Sequence, residues 1–183
     1  MNHFRVLGHL DTFPVLATLG QRLALFDQVT VRQTYPGTAH GDTRSIFLRG
    51  PEWAADTPIS AWLDDLPHVH YPNLEDWPEL SLLLANVLIA VDPGCARSLG
   101  KVMIAELAPG GAIGWHVDEG DYAEAHDRFH VPLTTNPACL LYSGGESCHL
   151  PVGLHTEFDN RSLHSAINAG LTPRMHLIVD VRR

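Results

Sequence analysis

The 183 residues carry 12 Lys plus Arg against 21 Asp plus Glu, a formal charge of −9. Phosphate recognition needs a basic face, so this balance argues against nucleic acid, and against an anionic membrane surface, as a partner. Hydrophobic residues at 45% and charged residues at 18% describe a chain able to bury a core, long enough for one domain over 1–183 and short for two.

The opening MNHFRVLGHLDTF lacks the basic start and apolar run of a secretory signal, so a reducing cytoplasm is the expected location. LALFDQVTVRQTY (23–35) reads as a helical turn passing into a β-branched strand around Val29 and Val31. TRSIFLRGP (43–51) is a strand bounded by glycine and proline. The preceding segment places His40 and Asp42 where they could border a substrate opening. Arg44 and Arg49 read as structural ion-pair partners, with substrate contact as the alternative. LPHVHYPN, around 68–70, reads as an extended, proline-flanked loop despite its i, i+2 histidines. ELSLLLANVLIAVDPG (79–94) is a helix closed by Pro93 and Gly94, and its apolar run is too short to span a bilayer.

Beyond it, short strand candidates recur between turn residues: 101–107, 128–135, 138–143, 153–158, 163–168 and 174–181. That rhythm predicts a mainly β fold, a double-stranded β-helix (jelly-roll, cupin-like) barrel with a few flanking helices. Residues 1–100 would supply N-terminal strands and a supporting helix, and 101–183 the core motif region. In two of the strands the apolar residues alternate. Phe129, Val131 and Leu133 alternate with Arg128, His130 and Pro132. Met175, Leu177, Val179 and Val181 alternate with Arg174, His176, Ile178 and Asp180. Inside a barrel, the basic face of such strands would suit an anion.

Three cysteines, Cys95, Cys139 and Cys148, show neither an even count nor a CxxC pair, so no disulfide framework or zinc knuckle is expected. Twelve histidines are many for this length, and only spacing separates ligands from surface or core residues. GWHVDEG sets His116 and Asp118 two apart, on one side of an extended segment. His164 follows 46 residues after Asp118, and Arg174 ten residues after that. Two imidazoles and a carboxylate on one face of an octahedron leave three positions open, which suits iron(II) and dioxygen activation. A 2-oxo acid would fill two of the open positions, and an Arg fork matches its far carboxylate. His176 reads as a core or supporting histidine, and Trp115 as packing beside the ligand strand.

LAPGGAIGWHVDEGDY, RFHVPL, FDNRSLHSAINAG and PRMHLIVDV together resemble the aspartyl/asparaginyl β-hydroxylase family of 2-oxoglutarate- and iron(II)-dependent oxygenases, over roughly 101–182. The resemblance implies His116 and His164 as iron ligands with Asp118 as the third. It implies Arg174 on the distal carboxylate of 2-oxoglutarate, and Arg128 and His130 near its metal-chelating end. The family's serine upstream of the Pro-Gly turn is replaced here by Ala105. The implied activity is hydroxylation of an amino acid, free or as an Asp/Asn-type side chain in a peptide, with release of succinate and CO2. The alternative from a different class is a cupin-like metal-binding barrel, an enzyme or sensor that uses no 2-oxoglutarate and needs the metal ligands but not Arg174.

Overall fold

The computed structural model describes residues 3–52, 59–94 and 96–183, so Cys95 lies outside the described residues. Eleven strands are described: β1 (Phe4–His9), β2 (Thr43–Pro51), β3 (His68–His70), β4 (Leu99–Leu107), β5 (Ala112–His116), β6 (His126–Thr134), β7 (Cys139–Ser143), β8 (Glu146–Cys148), β9 (Leu154–Phe158), β10 (His164–Asn168) and β11 (Arg174–Arg182). Helices α1 (Phe13–Leu19), α2 (Val31–Thr34), α3 (Pro72–Glu75), α4 (Pro78–Val91) and α5 (Asp121–Ala125) punctuate them. The strands form a seven-stranded sheet in the order β1-β9-β6-β11-β4-β2-β3 and a four-stranded sheet in the order β5-β10-β7-β8. All of the strand pairs are antiparallel. This is the jelly-roll expected from the strand rhythm: two sheets with a cavity between them, and helices outside the larger one. Among the described residues no helix is long and apolar enough to cross a membrane.

The hydrophobic core lies between the large sheet and the helices. Leu80, Leu83, Leu84 and Val87 of α4 recur at helical spacing and are at most 5% exposed. They pack with Val102 and Ile104 of β4, with Phe129, Val131 and Leu133 of β6, and with Leu177, Val179 and Val181 of β11. Each buried Leu or Val contributes roughly 1.5–3 kcal/mol, and that burial decides which face of each strand turns outward toward α4. Pro78 starts the helix where a missing N–H costs nothing. Trp77, fully buried before it, donates its indole N–H to Thr18 Oγ1 of α1 at 2.8 Å.

The opposite face of the large sheet is mixed, with polar and charged residues on either side of an apolar rung. Register places its residues on rungs that cross the strands. Thr43, Leu107 and Arg174 form one rung, and Ser45, Ala105, His176 and Pro132 the next. Phe47, Met103, Ile178, His130 and Thr156 form the third. Asp180, Arg128 and Phe158 follow, with Lys101 beside them where the β4–β11 register shifts.

Two elements differ from the sequence reading. Val29 and Val31 do not enter a strand. Gly20–Asp27 is a 3₁₀ helix and Val31 opens α2, because Val29 buries against Phe47 and Trp62 instead of pairing its backbone. His68–His70 is a strand rather than a loop, since the edge of β2 supplies a partner ladder. At Gly100, any side chain would collide with Tyr122, whose hydroxyl would lie 2.5 Å from the added carbon. That close approach lets Tyr122 accept the Lys101 backbone N–H at 2.6 Å.

Candidate metal centre

β5 and β10 are neighbours in the small sheet, and His116 is register partner to His164. Their rings lie 4.1 Å apart at the centroids. Asp118 follows β5, and its backbone N–H donates to Asn160 O at 3.0 Å, which ties the ligand loop to the turn before β10. His116 Nε2 lies 3.5 Å and His164 Nε2 4.0 Å from Asp118 Oδ1. One ligand atom from each of the three residues falls within 4.8 Å of the others.

Protonation follows from the partners. His116 Nδ1 contacts the carbonyl of Gly114 at 2.8 Å, and His164 Nδ1 that of Ser162 at 2.9 Å. A carbonyl only accepts, so both protons sit on Nδ1 and both Nε2 lone pairs face the aspartate. Asp118 Oδ2 accepts from Asn160 Nδ2 at 2.9 Å and from Arg128 Nη1, leaving Oδ1 toward the histidines. Burial by itself would raise the Asp118 pKa, but Arg128, His164, the Asn160 hydrogen bond and His116 together hold the carboxyl well below the usual carboxylate range. Burial pushes His164 down to about 4 despite the opposing pull of Asp118, which keeps its ring neutral. Three ligand atoms thus converge, an arrangement that a cation stabilises and that fits iron(II).

A narrow cavity runs from His116 and His164 between the sheets and is lined by Arg32, Ala105, Arg128, His130 and Arg174 among others. Arg174 is 3% exposed, and its Nε and Nη1 have no hydrogen-bond partner. Burial lowers its pKa to about 10, which leaves a charged guanidinium awaiting an anion. Its Nη2 donates to His176 Nδ1 at 3.1 Å. Because Arg cannot accept, His176 Nδ1 is the acceptor, and His130 Nδ1–H donates to the same atom at 3.1 Å. That leaves His130 Nε2 as a buried lone pair without a partner. Burial and Arg174 push both histidines well below their ordinary pKa, so both stay neutral. The orphaned guanidinium fits a dicarboxylate such as 2-oxoglutarate reaching toward the triad.

Arg128 occupies the same wall, but its donors are already engaged. Nε and Nη2 bind Asp180 at 2.8 and 3.0 Å, and Nη1 binds Asp118. Asp180 also accepts from Tyr122 at 3.0 Å. The sequence-level expectation of Arg128 near the co-substrate thus meets a guanidinium that holds a metal-facing carboxylate. Asn160 escaped the sequence reading. It stands in the FDNRS turn, but its neighbourhood with Asp118 exists only in three dimensions. Asp159, beside it, turns away to His3 and Ser162.

A second, wider and open cleft meets the first at Arg32, His40, His116, Arg128 and Ile178. The segment before β2 forms its lip. Ala39 O accepts from Gly114 N at 3.0 Å and Asp42 Oδ2 from Ala112 N at 3.0 Å, so this segment covers the free edge of β5. His40 sets its ring edge-on to His116 at 4.8 Å. Arg44 pairs with Glu106 at 2.7 Å and Arg49 donates to Leu99 O at 3.1 Å, both structural contacts. Trp115 is 60% exposed on the cleft wall, its ring 5.6 Å from that of Tyr142, rather than buried as packing.

A model of the family described as aspartyl/asparaginyl beta-hydroxylase matches residues 46–183. No curated protein matches the sequence. Among solved structures, the viral collagen prolyl hydroxylase vCPH of Paramecium Bursaria Chlorella virus-1, in its 2OG complex, superposes with TM-score 0.57 at 10% identity, covering 99% of this chain and 96% of that one. AviO1 from Streptomyces viridochromogenes Tue57 gives 0.58 at 17% identity, covering 99% and 90%. SnoN, a non-heme alpha ketoglutarate dependent epimerase from nogalamycin biosynthesis, gives 0.60 at 17% identity, covering 98% and 77%. At such identities the likeness is one of fold.

Proposed function

The chain belongs to the aspartyl/asparaginyl β-hydroxylase family and is thus an iron(II)- and 2-oxoglutarate-dependent dioxygenase; from that premise we propose that it hydroxylates an amino acid, free or as an Asp/Asn-type side chain in a peptide. The observation that carries the site assignment is the orphaned Arg174 guanidinium in the same cavity as His116 and His164, whose ring nitrogens converge with Asp118. His116, Asp118 and His164 hold the iron. Arg174 holds the far carboxylate of 2-oxoglutarate through Nε and Nη1, and His130 stands on the wall between.

When bound there, the metal and 2-oxo acid would together reduce dioxygen, one oxygen atom leaving in succinate as CO2 is released and the other becoming available to hydroxylate an unactivated C–H bond. The protein's own task is positional. Gly114 and Ser162 carbonyls fix both ligand tautomers. Arg128 and Asn160 hold Asp118 so that one oxygen faces the metal position. The His130–His176 pair keeps Arg174 aimed and water out of its end of the cavity. Residues 1–183 act as one catalytic unit in this reading, supported by Arg32 and His40 reaching the same cavity as the C-terminal motifs. We place it in the reducing cytoplasm, where free thiols at Cys139 and Cys148 are the ordinary state.

The test is succinate formation by anaerobically iron-loaded protein given 2-oxoglutarate, oxygen and candidate amino acids. Absence of turnover together with absence of 2-oxoglutarate binding would refute the proposal and favour a cupin-like metal barrel of other function.

A further inference from the structure

The cavity-side face of the large sheet buries a cation near each of its two poles, Arg174 at one and Lys101 at the other. Arg174 lies on the first rung of β11 and Asp180 on the fourth, six residues on, which is roughly 20 Å of strand. Lys101 accompanies Asp180 at that far end. Between the poles runs an apolar rung of Phe47, Met103 and Ile178. One dicarboxylate held by Arg174 and the triad leaves the far pole for a different ligand.

Lys101 is 6% exposed and lines the open cleft rather than the inner cavity. Its ammonium has three donors, and one hydrogen bond, to Trp62 O, is described. Asp180, the nearest candidate counter-ion, is occupied by two Arg128 nitrogens and the Tyr122 hydroxyl. Among the described residues no carboxylate lies within ion-pair distance of Lys101. Its cation sits 3.6 Å from the Tyr122 ring centroid and 5.9 Å from that of Trp62. Phe47 continues this wall, 4.6 Å from Trp62 between centroids. Burial lowers Lys101 to about 8, opposed by Asp180, so the group is still a cation at neutral pH.

An Asp or Asn side chain is short and polar, and would leave this apolar rung and its aromatic wall uncovered. We infer that the cleft takes a carboxylic acid with an aromatic or branched apolar body, its carboxylate on Lys101 and its carbon frame across Phe47, Met103 and Ile178 toward the metal. The substrate class is then an apolar amino acid or a derivative of one, in preference to an Asp/Asn-type side chain. The inference rests on the dioxygenase reading for the location of the metal and co-substrate.

The experiment is calorimetric binding to protein loaded with Mn(II) and 2-oxoglutarate without oxygen, using 3-phenylpropionate, 3-phenylpropan-1-ol and L-aspartate as probes. The acid is expected to bind at least tenfold tighter than the alcohol and tighter than aspartate. Lys101→Met should erase the preference for acid over alcohol while 2-oxoglutarate still binds. If Lys101 only caps Trp62 O and packs on Tyr122, K101M lowers stability but keeps the acid-to-alcohol ratio, and the inference fails. It fails equally if wild-type protein binds acid and alcohol alike, or aspartate best, a comparison needing no variant. Failure of 2-oxoglutarate to bind at the outset would instead overturn the dioxygenase assignment.

Discussion

Replacing Arg174 by Met should act in opposite directions on stability and on co-substrate binding. The guanidinium is 3% exposed, and burial pulls its pKa from 12.5 to about 10. That depression corresponds to a charge-burial cost of about 3 kcal/mol. Its single described hydrogen bond goes to His176 Nδ1, which keeps His130 as a partner when the arginine is removed. Met preserves the aliphatic stem, so the metal-free, ligand-free protein should gain about 1–3 kcal/mol, a melting temperature higher by roughly 2–10 °C. Binding should suffer. Two charge-assisted hydrogen bonds from Nε and Nη1 are worth about 1.5–3 kcal/mol each, so 2-oxoglutarate should bind about 100-fold more weakly or worse. Differential scanning calorimetry of the ligand-free variant and anaerobic 2-oxoglutarate titration of its Mn(II) form measure the two effects. A ligand-free R174M protein less stable than wild type by about 2 kcal/mol would show a structural arginine, and 2-oxoglutarate affinity within threefold of wild type would move the carboxylate elsewhere.

Filling the triad should relieve its facing lone pairs: Mn(II) at about 100 times its Kd should add about 2.7 kcal/mol, a rise of roughly 5–10 °C that a chelator reverses. Protein that melts at the same temperature with and without metal would contradict the assignment. Asn160→Leu leaves every metal ligand in place but frees Asp118 to turn, and metal affinity measured by Co(II) titration should fall about 10–100-fold. His155 is fully buried with both ring nitrogens unpartnered, and burial, aided by Arg5, lowers its pKa to about 4. The unfolded chain takes up this proton below about pH 6.5 and the folded protein only near 4. Stability present above pH 6.5 is therefore lost on acidification through that window, at about 1.4 kcal/mol per pH unit. His155→Leu should remove this residue's share of the slope and leave that of the other buried histidines, gaining about 2 kcal/mol at pH 5 relative to its effect at pH 8; an effect of the substitution that is equal at both pH values would exclude the idea.

Much of the molecule was legible from residues alone where local pattern and burial agree. The strand over 43–51 and six of the strands from 101 onward follow from short runs bounded by turn residues, with alternation marking β6 and β11, while β1, β5 and β8 are not among the expected strands; α4 follows from its apolar run closed by Pro93 and Gly94. The order HxD, distant His, then Arg singled out His116, Asp118, His164 and Arg174, because metal and carboxylate chemistry restricts residue type more sharply than folding does. Alternation also announced that strands β6 and β11 have two unlike faces. What it could not say was where those faces point. α4 claims the apolar face, so the basic face turns inward between the sheets, and that packing decision converts surface-like residues into cavity lining. The roles of Asn160, Arg32 and Lys101 depend on neighbours dozens of residues away, and no local spacing encodes them. The engagement of Arg128 by Asp118 and Asp180 is likewise a tertiary result. A side chain's type is written in the sequence, but whether its donors are free or already taken depends on the distances that the packed sheets impose.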